Sequence, residues 1–403
     1  MERNCLVRIM YIFVIFGVSF IFLTDERCVF AKEVRGVTQD AIKIGAIIDQ
    51  TGAAASIGIP IADAMRTYFR HINDKGGING RIVNVFIEDD HYTIPGAVSA
   101  FKKLVYKDKI LTMLFCGGTG QTKVFSSKLE KEKLPVITVS LAESMTTPLK
   151  RYIFTPSASY DDGVDVIVDY IMKDLKAKNP KIAVVYPDVE FGKTGMRAAE
   201  KYLKNYNLKL ASKTILAISA IDATSQVLTL KRLNPDHVIL HEGAAAIISF
   251  LKGAKKYGLK SRLFGTFYVS SEDTIAIARD ASQGLLAVSP FGFWHDDLSG
   301  IAKMREITKQ YQPNTEPKTR NYVQGWVTSL ICGEGMRRAG RDLSGDTLVD
   351  SLETMENFST GGISSPIRYS KTNHKGGRGN KLYKTDVKKE RFIAITEFQE
   401  PAF

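Results

Sequence analysis

Hydrophobic and polar positions alternate most regularly between residues 42 and 90. An apolar run over 42–48 ends in a polar, glycine-containing loop, which predicts a buried strand. Apolar residues then recur every three or four positions over 57–72, which predicts a helix with one buried face. Paired glycines at 76 and 77 end this helix, and a second strand is predicted over 82–87. A strand, a helix and a strand without a hairpin link predict a parallel crossover unit.

The same alternation continues through most of the chain. The pattern predicts strands over 110–115, 135–140, 181–186, 209–217, 237–241 and 263–267, separated by helices over 161–175, 192–206, 223–233 and 245–257. Three further helices are predicted over 300–311, 319–338 and 344–355. The alternation of strands and helices starts again after residues 152–156. A chain of 403 residues is also longer than one compact core usually holds. We therefore expect an α/β protein of two doubly wound domains.

The N-terminal segment differs from the rest of the chain. Arg3 and Arg8 flank the start of an apolar run over 9–23, and Val29-Phe30-Ala31 offers a cleavage site. This pattern predicts a secretory signal peptide over residues 1–31, and hence a periplasmic mature protein. An uncleaved membrane anchor is the alternative, but the run is shorter than the roughly 20 residues that a spanning helix needs.

The chain carries a formal net charge of +12. A basic balance can indicate binding to nucleic acid or to an anionic surface. Here the surplus is concentrated over 371–391 and accompanies no nucleic-acid-binding motif. We interpret it as a solvated surface and expect no nucleic-acid partner.

Beyond the predicted signal peptide, the cysteines are Cys116 and Cys332. Each lies inside an apolar stretch and no metal-binding spacing is present, so both are predicted to be buried free thiols. The histidines are also scattered, and no metal site or cofactor is predicted. Nucleophile-elbow, Walker A and zinc-protease motifs are missing from the sequence, so we do not expect an enzyme.

The stretch over 42–90 resembles the opening of one family. The resemblance rests on Thr51-Gly52 after the first strand, Asn73-Asp74 late in the helix, Gly77-Ile78-Asn79-Gly80, and a strand that ends in Asp89-Asp90. These features are similar to those of ABC-transporter solute-binding proteins of the branched-chain amino-acid (leucine/isoleucine/valine-binding) class. The resemblance extends to a C-terminal strand near Phe398.

This resemblance implies a type I periplasmic binding protein fold. Two doubly wound parallel-sheet (Rossmann-like) domains are then joined by a three-stranded hinge, with crossovers near 155–156, 289–290 and 361–362. The N-terminal lobe is expected to comprise residues 41–155 plus 290–361. The C-terminal lobe is expected to comprise 156–289 plus 362–403.

Two loops of the first lobe are suited to bind a carboxylate. The segments 117–122 and 140–144 each follow a predicted strand, and backbone N–H groups at helix N-termini attract anions. The resemblance implies that backbone N–H groups and Ser or Thr hydroxyls hold the ligand carboxylate there. The candidates are Gly118, Thr119, Gln121, Ser140, Ala142 and Ser144. Ordinary helix capping by these residues is the alternative interpretation.

The second lobe is expected to supply aromatic contacts. Asp188-Val189-Glu190-Phe191-Gly192 resembles a family loop whose aromatic residue packs over the ligand, and Tyr160 and Tyr322 match other aromatic positions. Where the branched-chain amino-acid binders place an acidic residue for the ligand ammonium, the loop over 265–270 is aromatic instead. Either Glu242 or Asp161 pairs with the ammonium, or the ligand has no ammonium and Tyr268 contacts its body.

The resemblance implies a receptor that closes about a hinge on a small carboxylate-bearing ligand. The ligand is an amino acid or an aromatic or aliphatic organic acid, and the partners are the membrane subunits of an ABC permease. We expect a monomer. A sensory or regulatory protein of the same fold, which signals instead of feeding a permease, is the alternative.

Overall fold

The computed structural model describes residues 34–403. The predicted signal peptide over 1–31 therefore lies outside the described residues. None of the helices in the described part combines the length and the apolar character that a bilayer crossing requires.

The first sheet has five parallel strands in the order β2-β1-β3-β4-β5. They are β1 (Ala41–Ile47), β2 (Ile82–Glu88), β3 (Thr112–Cys116), β4 (Val136–Ile137) and β5 (Ile153–Phe154). Both faces of β3 are buried, as expected of a central strand covered by helices on two sides. The helices between these strands are α1 (Ala55–Asp74), α2 (Ile94–Lys102) and α3 (Thr119–Glu132).

The second sheet has seven strands in the order β12-β11-β10-β9-β8-β6-β7. They are β6 (Ile182–Tyr186), β7 (Leu210–Ile215), β8 (His237–Leu240), β9 (Arg262–Gly265), β10 (Leu286–Ser289), β11 (Lys381–Asp386) and β12 (Arg391–Ala394). The strands from β6 to β10 pair in parallel, whereas β11 and β12 form an antiparallel hairpin on β10. The helices of this part are α4 (Tyr160–Asp169), α5 (Glu190–Leu203), α6 (Thr224–Leu233), α7 (Ala244–Tyr257) and α8 (Glu272–Ala278).

The chain passes between the two sheets three times. It leaves the first sheet after β5, returns after β10, and enters the second sheet again at β11. The returning segment forms α9 (Ser299–Tyr311), α10 (Arg320–Ala339) and α11 (Gly345–Leu352), and its buried side chains share one core with those of α1 and β3. The prediction of two doubly wound lobes joined by three crossovers is therefore confirmed. We call the lobe that contains the first sheet the first lobe, and the other the second lobe.

Most predicted elements are present, with shifts at their ends. The helix predicted over 161–175 is α-helical only to Asp169 and continues as a π-helical segment, Tyr170–Asp174. The prediction of a strand near Phe398 is wrong. The last strand ends at Ala394, and the segment beyond it forms only an isolated bridge between Asn380 and Gln399. The two cysteines predicted to be free thiols, Cys116 and Cys332, are buried and unbonded, as predicted.

Candidate ligand-binding site

A cavity lies between the two lobes, where the carboxyl ends of their strands face each other. The volume of this cavity is about 630 Å³, including the open solvent at its mouth. The loops that follow β1, β2, β3 and β4 line it from the first lobe. The residues that line it from the second lobe are Tyr160, Phe191, Ile218, Gly243 and Tyr268. This is the position at which doubly wound sheets bind their ligands.

Helix α3 begins at the first-lobe wall of the cavity. Its N-cap is Gly118, which has no side chain to bond the free N–H groups of the first turn. The hydroxyls of Thr119 and Ser140 lie 2.8 Å apart, and both residues are buried in the cavity wall. Because one of these hydroxyls donates to the other, the second keeps its proton for a ligand. Uncapped N–H groups beside a free hydroxyl form a binding site for an anion.

Two glycines allow this wall to be built. Gly117 has a φ of 65°, and a Cβ added there would lie 2.7 Å from Oδ2 of Asp90. A Cβ on Gly118 would lie 2.7 Å from the ring of Tyr92. The loop after β3 therefore approaches the loop after β2 more closely than any side chain allows.

Three carboxylates cluster at the ends of β1 and β2. Oxygens of Asp49, Asp89 and Asp90 lie within 4.8 Å of one another. Backbone N–H groups of the adjoining loops occupy both oxygens of Asp49 and Oδ1 of Asp89. Asp90 differs, because its Oδ1 accepts a bond from the N–H of Tyr92, whereas its buried Oδ2 has no partner among residues 34–403 as described. Burial raises the pKa of Asp90 to about 6, so this carboxyl is an available hydrogen-bonding group in the cavity wall.

Aromatic rings form the second-lobe wall. The ring centroid of Phe191 lies 5.3 Å from that of Tyr160 and 5.6 Å from that of Tyr268. The hydroxyl of Tyr268 donates to the carbonyl of Val139 in the first lobe, at 3.2 Å. Behind Phe191 lies His241, whose burial lowers its pKa to about 4 and keeps it neutral. This wall offers large apolar contact area with little conformational freedom.

Glu242 is an acidic side chain of the second lobe that precedes the lining residue Gly243 and does not itself line the cavity. Its Oε2 accepts the N–H of Gly243 at 2.9 Å, and its buried Oε1 has no partner among the described residues. Burial raises the pKa of Glu242 to about 8. Burial also raises the pKa of Tyr92, and the charge of Glu242 adds to this from the opposite lobe. Asp161, the other acidic candidate, lies at the start of α4 and does not line the cavity.

The structure brings together six of the predicted site residues as cavity lining. They are Gly118, Thr119, Ser140, Tyr160, Phe191 and Tyr268.

The other predicted residues lie elsewhere. The side chain of Gln121 packs over Gly118, and Ala142 is buried one step beyond the lining. Ser144 is exposed, because the chain turns away into a short 3₁₀ helix, Glu143–Met145. Tyr322 is in the first-lobe core, where its hydroxyl lies 2.9 Å from that of Thr308. Cavity geometry thus gives no support to a ligand contact by Ser144 or Tyr322.

Sequence reasoning did not assign Asp90 and Tyr92 to the site. In the sequence, Asp89-Asp90 is only the end of the predicted second strand. The available signal was positional: a carboxylate at the end of a strand beside β1 must face the same crevice as the glycine loop after β3.

The comparisons with known proteins agree with this fold. A family model described as "Periplasmic binding protein" matches residues 41–390. The Leu/Ile/Val-binding protein of Escherichia coli is 25% identical over 250 residues, which cover 62% of this chain and 67% of that protein. The leucine-, isoleucine-, valine-, threonine- and alanine-binding protein of Pseudomonas aeruginosa is 24% identical over 303 residues. These residues cover 75% of this chain and 79% of that protein.

Two solved structures are similar over almost the whole chain. A branched-chain amino-acid ABC transporter protein from Thermus thermophilus with bound valine superposes with a TM-score of 0.83, 25% identity, and coverage of 91% of this chain and 98% of that one. A fatty acid ABC transporter substrate-binding protein from Thermomonospora curvata superposes with a TM-score of 0.83 and 22% identity. The match covers 92% of this chain and 95% of that one.

Fold and cavity define a two-lobed binding protein. The chain belongs to the periplasmic binding protein family. The resemblance to the leucine/isoleucine/valine-binding class, drawn from residues 42–90, is confirmed. The prediction that the chain is not an enzyme agrees with the matched family and with the relatives, which are binding proteins.

Proposed function

We propose that the protein is the extracytoplasmic solute-binding receptor of an ABC transporter, and that it binds a small carboxylate-bearing ligand with an apolar body. One observation carries the proposal: the uncapped N-terminus of α3 and the paired hydroxyls of Thr119 and Ser140 form the polar part of a largely apolar cavity. The N–H groups of the first turn and the free hydroxyl proton bind the ligand carboxylate. The rings of Tyr160, Phe191 and Tyr268 pack against the ligand body.

An apolar amino acid is the ligand class that the electrostatics favour. Asp90 lines the cavity from the first lobe, and Glu242 lies behind the lining residue Gly243 of the second lobe. Each has a buried oxygen without a partner among the described residues. Such an oxygen is costly unless a ligand donates to it, and an ammonium group supplies up to three donors. The amine-free alternative, an aliphatic or aromatic carboxylate, has support in the fatty-acid protein with the same fold. It requires Asp90 and Glu242 to remain protonated while the ligand is bound.

Ligand binding is proposed to close the two lobes about the three crossovers. Contacts that form only in the closed state then shift the population toward closure. The predicted lobe boundaries remain a proposal. Ile363, Ile367 and Tyr369 pack in the first-lobe core, and Thr155 pairs with Lys375. These contacts favour a third crossover between Tyr369 and Asn380, later than residues 361–362.

A ligand screen tests the proposal. The melting temperature is measured with branched-chain amino acids, aliphatic carboxylates and aromatic carboxylates, each at several concentrations. A ligand at a hundred times its dissociation constant stabilises the protein by about 2.7 kcal/mol. We expect leucine, isoleucine or valine to raise the melting temperature and Thr119→Val to reduce the shift at the same ligand concentration. A protein that responds to none of the three classes does not have the proposed ligand specificity.

Delivery to ABC permease membrane subunits, a periplasmic location and a monomeric state complete the proposal. The family description supports the periplasmic location, and the names of similar proteins support delivery to an ABC permease. The monomeric state is an expectation from the sequence. Light scattering after gel filtration measures the mass of the protein. Uptake of the bound ligand, with and without the gene in the native cell, separates transport from signalling.

A further inference from the structure

The N-terminus of α10, which belongs to the first lobe, is buried against a loop of the second lobe. Arg320 is completely buried, and its guanidinium carbon lies 3.6 Å from the ring centroid of Phe267. Its Nε donates to the carbonyl of Ser270 at 3.2 Å, and its backbone N–H donates to Oε2 of Glu272 at 2.9 Å. We call Arg320, Phe267, Ser270 and Glu272 together the interlobe contact.

Glu272 acts as a helix cap supplied by the opposite lobe. The N-cap of α10 is Thr319, whose side chain makes no capping hydrogen bond. The carboxylate of Glu272 instead accepts the first N–H of the helix. A carboxylate at this place is stabilised by the partial positive charge of the helix N-terminus. The start of α10 is therefore completed only when the two lobes are together.

The interlobe contact is not the arrangement that stability alone would favour. Within the part of the chain that the structure describes, both Nη atoms of Arg320 and Oε1 of Glu272 are buried without hydrogen-bond partners. Burial lowers the pKa of Arg320 to about 10 and raises that of Glu272 to about 7. Buried charges that are incompletely paired are costly, and an apolar residue of similar size often stabilises a protein more. A guanidinium at this position therefore indicates a positional role.

That role is visible in the same loop. Tyr268 lies between Phe267 and Ser270, lines the ligand cavity, and has its ring centroid 5.4 Å from the guanidinium carbon of Arg320. Planar stacking on Phe267 and the bond to Ser270 hold the loop on both sides of Tyr268. Arg320 itself does not line the cavity.

We propose that Arg320 is a positioning residue for ligand binding: it fixes the 267–272 loop of the second lobe against the first lobe, so that Tyr268 is held in the cavity wall. The inference rests on the proposed function, because it assigns Arg320 to the same ligand site. It also predicts a property of the ligand-free protein, which can be measured separately.

The first experiment compares amide hydrogen exchange of the ligand-free wild type with Arg320→Met, Arg320→Lys and Arg338→Met. Arg338 is the matched control, because it lies on the same helix and pairs with Glu334 within the first lobe. We expect exchange over 267–272 to become at least tenfold faster in Arg320→Met and to stay unchanged in Arg338→Met. Arg320→Lys keeps the charge but loses the planar fork, so we expect an intermediate rate. Wild-type exchange over 267–272 in Arg320→Met overturns the proposal.

The second experiment measures the affinity for L-valine by calorimetry in the same variants. We expect at least tenfold weaker binding in Arg320→Met, partial recovery in Arg320→Lys, and wild-type affinity in Arg338→Met. A merely structural role would lower the melting temperature of Arg320→Met and leave its affinity for L-valine unchanged, which would overturn the proposal. If the wild type itself does not bind L-valine, the proposed ligand class fails, and the exchange rates still decide the role of Arg320.

Discussion

The two walls of the ligand cavity are built from different chemistry. The first-lobe wall contains strand-end loops, in which glycines bring backbone N–H groups, the hydroxyls of Thr119 and Ser140, and Asp90 close together. It also contributes apolar side chains, among them Ile48, Ile57 and Ile61. The second-lobe wall consists mainly of packed rings, and Glu242 accepts the N–H of the lining residue Gly243. The fixed polar groups of the first wall orient one end of a ligand, whereas the ring wall accepts apolar bodies of several shapes.

This difference assigns separate tasks to the two lobes. Backbone N–H groups are held by the fold and are satisfied by any carboxylate, so the first lobe is expected to set the class of ligand. Aromatic contacts depend on shape, so the second lobe is expected to set the choice within that class. The four predictions below test this division.

Replacement of Glu242, the acidic residue behind the second wall, should have the largest effect on ligand affinity. Glu242→Gln should weaken binding of L-valine at pH 8 by about 3–5 kcal/mol, because a buried ammonium loses its charged partner. The pKa of Glu242 is about 8 in the empty site, so the carboxyl is protonated at pH 6 and must lose its proton to pair with an ammonium. The association constant of the wild type should therefore rise about tenfold per unit from pH 6 toward pH 8 and level off above it.

Calorimetry at pH 6, 7 and 8 measures this dependence. Asp161→Asn is the comparison, because Asp161 is the other acidic candidate for the ammonium; if Glu242 holds the ammonium, this variant should keep the wild-type slope. Binding of L-valine that weakens toward pH 8 would instead show that ionised Glu242 opposes binding and does not hold the ammonium.

The hydroxyl pair of the first wall should have the next largest effect. Thr119→Val keeps the shape of the side chain and removes the hydroxyl that bonds Ser140. Loss of a hydrogen bond to a charged ligand group costs about 1.5–3 kcal/mol, which is roughly 10- to 150-fold in affinity. If the first wall contacts only the ligand carboxylate, Thr119→Val should lose the same affinity for L-valine as for an amine-free carboxylate. Ser126→Ala, on the outer part of the same helix α3, should bind as the wild type does.

The hydroxyl of Tyr268 should have a smaller effect. Tyr268→Phe keeps the ring in the second wall and removes the bond to the carbonyl of Val139. A neutral hydrogen bond contributes about 0.5–1.5 kcal/mol, so we expect roughly 2- to 10-fold weaker binding of L-valine. Tyr322→Phe is the matched control, because it removes a hydroxyl that bonds only within the core. It should lower the melting temperature and leave the affinity unchanged.

Ser144→Ala should have the smallest effect. Its side chain is exposed and outside the cavity lining, although the family resemblance assigned it to the carboxylate site. We expect affinity for L-valine within about twofold of the wild type, since substitutions of exposed residues away from special features change little. A loss of tenfold or more would mean that Ser144 moves into the site when the lobes close.

The sequence by itself determined the architecture, and with the family resemblance it indicated six residues that line the cavity. Periodic apolar runs specify strands and helices locally, and the glycine loop after β3 marks a helix N-terminus at a strand end. The resemblance assigned Thr119 in that loop, and Ser140 after β4, to the ligand carboxylate. Phe191 and Tyr160 were identified from family motifs.

Only the tertiary structure decided which groups face one another across the cleft. The oxygens of Asp90 and Glu242 that have no partner among the described residues, the action of both charges on Tyr92, and the burial of Arg320 against Phe267 depend on how the two lobes meet. Tertiary structure also removed a candidate from the site. A short 3₁₀ helix turns Ser144 away from the cavity, although Ser140, four residues earlier, lines it. Periodicity reports which face of an element is buried, whereas the partner of a buried polar group is set by packing between residues that are far apart in the chain.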